Sequence, residues 1–132
     1  MKELRVIIAG SRGFCDYLKL KENTTRIITS IVATRPDDIG NIRVISGTAR
    51  GADRLGERVA KECQYELSRF PADWNKFGKS AGYIRNAEMA KFAISDESFG
   101  VLIAFWDGSS RGTKHMINLA KEYKLAVYVV DC

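Results

Sequence analysis

The chain is expected to form a three-layer α/β sandwich of Rossmann-like type: one parallel five-stranded sheet in the order 3-2-1-4-5, with helices on both faces. Three observations lead there. Short apolar runs alternate with longer stretches of helical period, the pattern of a parallel sheet covered on both sides. Right-handed crossovers between such runs leave few topologies open. Loops rich in Gly, Ser, Thr and Arg follow the first, second and fourth runs, and this strand order makes those three runs neighbours.

Leu4–Ala9 is short, apolar and rich in β-branched residues, and reads as a buried strand. A helix is expected from about Lys19 to Ala33, where Ile27, Ile28, Ile31 and Val32 recur at helical spacing. Residues Pro36 to Asn41 form a turn cluster, and Ile42–Ser46 is the second strand. The second helix runs from Gly51 to about Glu62, with Leu55 and Val59 toward the core and Cys63 buried beside them. Tyr65–Phe70 is the third strand, nearer the sheet edge because it is more polar. Pro71 to Phe77 is a loop with a possible turn of helix, and Ser80 to Ala93 is the third helix. Gly100–Trp106, Gly112–Tyr123 and Leu125–Val130 complete the pattern as strand, helix and strand.

The three loops share one chemistry. They are Gly10-Ser11-Arg12-Gly13, the segment from Ser46 to Asp53, and the segment from Asp107 to Thr113. Glycine allows close approach of a backbone to a ligand. Amides opening a helix, together with Ser and Thr hydroxyls, donate to anions, and arginine clamps a phosphate through two N–H groups. Sheets of this kind bind ligands where the strand order reverses, here between the first and fourth strands. Gly10, Ser11, Arg12, Gly47, Thr48, Arg50, Gly51, Asp53, Gly108, Ser109, Ser110, Arg111, Gly112 and Thr113 are therefore candidate ligand-binding residues. Lys79, Arg85 and Asn86, at the start of the third helix, join them. Asp53 also suits the first turn of its helix, where a carboxylate complements the dipole. Trp74 reads equally as a lid over a base or as a core aromatic. Trp106 reads as packing, Asp107 as a turn residue, and His115 as structural or exposed.

Several classes are disfavoured. The first loop lacks GxGxxG spacing, and Asp73 stands where a Walker A loop before Gly78-Lys79-Ser80 needs glycine. A single histidine and three scattered cysteines assemble no metal site or disulfide framework, so no metal or required cofactor is expected. At 132 residues, 45% hydrophobic and 28% charged, the chain reads as one soluble domain over residues 1–132. It has no signal-like start or membrane-length apolar run, so a cytoplasmic location is the default. The net charge of +5 concentrates near the loops, favouring a phosphate-bearing ligand and leaving nucleic acid as a weaker possibility.

The motifs in order resemble the YspA/YpsA-related branch of the SLOG superfamily, to which the Lonely Guy phosphoribohydrolases and the DNA-processing protein A family are related. They are Ala-Gly-Ser-Arg near the start, Ser-Gly-Thr-Ala-Arg-Gly-Ala-Asp, Pro-Ala-Asp-Trp, Lys-Ser-Ala-Gly-Tyr-Ile-Arg-Asn-Ala-Glu-Met and Gly-Ser-Ser-Arg-Gly-Thr. The resemblance implies a Rossmann-like fold, a nucleotide-derived ligand and, by analogy, a homodimer. It places ligand-facing positions at Gly10 to Arg12, at Gly47, Thr48, Arg50, Gly51 and Asp53, at Arg85 and Asn86, and at Gly108 to Thr113. One departure stands out. Met116 falls where the Lonely Guy motif carries its glutamate, and a thioether cannot stabilise a developing ribosyl cation.

The expected function is binding or sensing of a phosphorylated, nucleotide-derived small molecule. The first alternative is a hydrolase of such a ligand, at an N-glycosidic or phosphate-ester bond, with Asp53 as acid/base and Arg85 as charge stabiliser. The second is single-stranded nucleic-acid binding. No membrane partner is expected.

Overall fold

A computed structural model describes residues 2–132. The sheet has the order β3-β2-β1-β4-β5, every pairing parallel. Its strands are β1 (Lys2–Gly10), β2 (Ile39–Ser46), β3 (Glu66–Arg69), β4 (Phe99–Trp106) and β5 (Ala126–Asp131). The helices are α1 (Tyr17–Thr34), α2 (Ala52–Cys63), the one-turn α3 (Trp74–Phe77), α4 (Ala81–Ile94) and α5 (Arg111–Glu122). A 3-10 turn, Gly78–Ser80, joins α3 to α4.

The period-2 alternation of the central strands builds two cores. Leu4, Val6 and Ile8 of β1, with Val101, Ile103 and Phe105 of β4, meet Leu20, Ile27, Ile28 and Ile31 of α1 and Val59 of α2. Ile7 and Ala9, with Leu102 and Ala104, face the other way onto Met89, Ala90 and Ala93 of α4 and Met116, Ile117 and Ala120 of α5. At these positions β1 and β4 exclude solvent almost completely, as strands covered on both faces must.

The differences from the expected elements are local. Strand β2 begins at Ile39, inside the expected turn cluster, because the backbone there pairs with Lys2 of β1. Strand β3 is shorter than expected and lies at the edge. Helix α1 starts two residues early because the Asp16 side chain accepts from the Lys19 amide and caps it. Cys63 is half-buried rather than buried, since it ends its helix where the chain turns back toward the edge strand, while Leu55 and Val59 face the core as expected. No helix among the described residues is long and apolar enough to cross a membrane.

Candidate functional site

The carboxyl ends of β1, β2 and β4 converge on one cleft of about 230 Å³. Ala9, Gly10 and Arg12 reach it from the end of β1 and the loop beyond. Ala49 and Asp53 come from the β2–α2 junction, and Ser110, Gly112, Thr113 and Met116 from the start of α5. The far wall belongs to the segment after β3: Trp74, Lys79, Gly82, Tyr83, Arg85, Asn86 and Met89. A second groove, lined by Gly47, Thr48, Arg50, Pro71 and Ala72, adjoins the cleft and shares Arg12, Ala49, Trp74 and Arg85 with it.

Of the residues expected from sequence, Gly10, Arg12, Asp53, Lys79, Arg85, Asn86, Ser110, Gly112 and Thr113 line the cleft, and Gly47, Thr48 and Arg50 the adjoining groove. Ser11, Gly51, Gly108, Ser109 and Arg111 line neither, and most of them have another role. Ser11 is buried, accepts from the Asp107 amide through its hydroxyl at 3.4 Å, and donates its own amide to the Phe105 carbonyl at 3.1 Å. It stitches the first loop to the third. The Ser109 and Ser110 amides both donate to the Asp107 carboxylate, at 2.8 and 2.9 Å, so Asp107 is indeed a turn residue. Ser110 accepts from the Thr113 amide and caps α5. Gly51 adopts φ +84° and ψ −133°, backbone that side chains disfavour, and packs against the Ser11 and Arg12 carbonyls.

Arg85 organises the centre. Its guanidinium donates to the Gly47 carbonyl, and its Nε donates to Asn86 Oδ1 at 3.0 Å. Gly47 separates Arg85 from Asp53: a Cβ there would lie 2.8 Å from Asp53 Oδ2 and 2.9 Å from Arg85 Nη1. A side chain at this position would have to push the two charged groups aside. Next to it Thr48, a β-branched residue, takes φ +66°. Such strain persists only where surrounding contacts enforce it. Here the Thr48 amide donates to Ser46 Oγ at 3.0 Å, and the Thr48 carbonyl accepts from Arg54 Nε at 2.8 Å.

Asp53 is 6% exposed. Burial pushes its carboxyl up from an ordinary value of 3.8 to about 6, against the opposing pull of the Ala49 amide and the Arg85 charge. A group whose folded value is raised stabilises the fold fully below its unfolded value, and that stability is lost as pH rises through the folded value. Two pH units correspond to about 3 kcal/mol. Unfolding by urea is therefore expected to become easier between pH 4 and pH 6.5, and Asp53→Asn should flatten that decline. An unchanged slope in the variant would mean that Asp53 is not the group responsible.

The cleft also contains residues that the loop motifs did not point to. Tyr83, Met89 and Met116 line it, and Trp74 is 51% exposed on its rim, which excludes a core role. His115 is half-buried and contacts Asn86, a structural position as its reading implied. Trp106 packs against the second core and donates from its indole to the Ser110 carbonyl at 3.0 Å. Tyr83 lies one helical turn before Asn86, the one periodicity that would have revealed it.

Comparison with known proteins agrees with this architecture. The family model for YAcAr, the YspA, cpYpsA-related SLOG family, matches residues 4–77, which span β1 through α3. The chain is also 32% identical over 130 residues to the Gene 61 protein of Mycobacterium phage D29, covering 93% of each chain. No solved structure gives a significant match. The matched segment contains the first two loops, with Gly47, Asp53 and the Trp74 turn that frame the cleft, and the chain belongs to the YspA, cpYpsA-related SLOG family.

Proposed function

We propose that the cleft binds a phosphorylated, nucleotide-derived small molecule, and that the protein acts as a binding or sensing module. The observation that carries this is the convergence of Arg12, Lys79 and Arg85 with Trp74 and Tyr83 around one recess at the strand ends. Two guanidiniums and an ammonium suit phosphate oxygens. The two aromatic rings on the rim suit a base or ribose. At about 230 Å³ the cleft is small for a whole cofactor, and the adjoining groove of about 310 Å³ extends it past Arg12 and Arg85.

The experiment is a thermal-shift series with AMP, ADP, NAD, ADP-ribose, ribose 5-phosphate and a short single-stranded oligonucleotide. A ligand at about 100 times its Kd adds roughly 2.7 kcal/mol, or several degrees for a domain of this size. Nucleotide binding is expected to raise the midpoint and to quench Trp74 fluorescence, and Trp74→Ala should weaken it about twofold to twelvefold, the value of one stacking contact. A shift with the oligonucleotide alone would replace this reading with nucleic-acid binding. A complete absence of shifts would remove it.

Asp53 supports a second reading. A buried carboxyl raised to about 6 within a cleft is suited to proton transfer near neutral pH. Under that reading the protein hydrolyses its ligand, with Asp53 as acid/base and Arg85 facing the developing charge. Product formation from a bound nucleotide, abolished in Asp53→Asn while binding persists, would establish it.

A further inference from the structure

Arg85 is held at the end of a chain of side chains that leads to the only histidine. Asn86 is 6% exposed and lies between them. Arg85 Nε can only donate, so the Asn86 atom 3.0 Å away must be the carbonyl oxygen. The Gly112 carbonyl can only accept, so the Asn86 atom 3.3 Å from it must be the amide nitrogen. Both neighbours fix the amide in the same orientation. The nitrogen then also donates to His115 Nδ1 at 3.1 Å, and this ring nitrogen must be an acceptor. The Tyr83 ring, 4.4 Å from the imidazole between centroids, covers the histidine from α4.

We propose that His115 is a positioning residue for the anion site: only as a neutral imidazole does it hold Asn86, and through Asn86 the Arg85 guanidinium, in the orientation that faces the cleft. A proton on Nδ1 would set an N–H donor against the Asn86 N–H donor, and the amide would have to turn or withdraw. Turning presents an N–H to Arg85 Nε–H instead, so the disturbance reaches the arginine. The inference rests on the reading of the cleft as an anion site.

The surroundings allow this switch. From α4, the Tyr83 ring and the Asn86 amide meet the imidazole, with Arg85 one hydrogen bond further. On its own helix, Arg111 and Leu119 stand one turn to either side. Burial lowers the His115 pKa below its ordinary value, so the neutral form holds at neutral pH. Asp53, raised to about 6, also takes up a proton on acidification and acts oppositely, because neutralising a carboxylate in the cleft favours an anion. A single pH profile would therefore mix the two effects.

The test separates them. In the wild-type protein and in Asp53→Asn, which removes the titrating carboxylate near Arg85, both without ligand, the Arg85 Nε–H and Asn86 side-chain amide resonances are followed by NMR from pH 7.5 to 5, beside the His115 ring resonances. All three are expected to move with one midpoint, below the ordinary histidine value. Resonances of Arg85 and Asn86 that stay still while His115 titrates would overturn the proposal, whatever the protein binds. Affinity for sulfate, which does not titrate in this range, is then measured for wild type and His115→Gln at each pH. The ratio of the two cancels the Asp53 contribution. Wild-type affinity is expected to fall relative to the variant by about threefold to tenfold on acidification, the worth of one hydrogen bond. A constant ratio with good binding would also overturn the proposal. Sulfate and nucleotides that bind neither protein, with the three resonances still coupled, would overturn the anion reading and leave the His115–Asn86–Arg85 linkage standing. Should His115→Gln fail to fold, His115→Asn and the wild-type NMR titration decide the question.

Discussion

Gly51→Ala is expected to destabilise the protein by about 3–5 kcal/mol, roughly 10–20 °C in melting temperature for a chain of this length. Two causes act together. The backbone at Gly51 has φ +84°, where a Cβ is intrinsically strained. The added Cβ would also lie 2.4 Å from the Ser11 carbonyl oxygen and 2.5 Å from that of Arg12, both backbone atoms of the first loop. Neither can swing aside like a side chain, because the Ser11 carbonyl already accepts from the Phe14 amide and the Ser11 amide donates to Phe105. Gly112→Ala makes the comparison sharp. A Cβ there meets nothing within 4 Å, and in the first turn of α5 alanine is the better helix former, so this variant should be neutral or slightly more stable. Thermal unfolding followed by circular dichroism measures both, and a Gly51→Ala variant within about 1 kcal/mol of wild type would show that the loop junction can relax.

Arg85→Ala is expected to cost about 10- to 100-fold in affinity for a nucleotide, the range for losing hydrogen bonds from a charged donor to an anion. The residue is half-buried, and its guanidinium is already fixed by the Gly47 carbonyl and Asn86 Oδ1. Little side-chain freedom remains to be lost on binding, which favours affinity. Arg85→Lys should recover little, because an ammonium cannot satisfy both acceptors and still present a planar fork to a phosphate. Arg26→Ala, a loss of the same charge on α1 beside β5 and outside the cleft and its adjoining groove, serves as the control and should change affinity less than about twofold. Isothermal titration at fixed ionic strength separates these outcomes. Equal losses in both variants would indicate a diffuse attraction to a basic surface, the behaviour expected for nucleic acid.

The fold could be read from the chain because its determinants are local. Leu4, Val6 and Ile8 alternate with Ile7 and Ala9 at period 2, and Ile27, Ile28 and Ile31 recur at helical spacing, so each element declares itself within a few residues. The handedness of the crossovers then leaves little choice of strand order. The position of the cleft follows from that order, since the loops after β1, β2 and β4 must become neighbours. Element ends were harder to place. The start of β2 depends on pairing with Lys2, and no feature near Ile39 announces that.

Composition identified the loops that build the cleft, and it could not say which of their donors remain open to a ligand. Ser11 looks like a phosphate contact, yet it is tied to Asp107, 96 positions away. Ser109 and Ser110 carry amides suited to an anion, and the Asp107 carboxylate already holds both. Conversely, Arg85 is anchored across the fold by Gly47, 38 residues earlier in the chain, and His115 gains a role only through Asn86, 29 positions before it. The raised pKa of Asp53 likewise arises from its burial in the folded protein and not from its neighbours in sequence. Secondary structure and topology depend on short periodic patterns and on chirality, which any stretch of the chain carries within itself. Whether a polar group is satisfied, aimed or desolvated depends on partners that only tertiary packing brings within 3 Å or so of it.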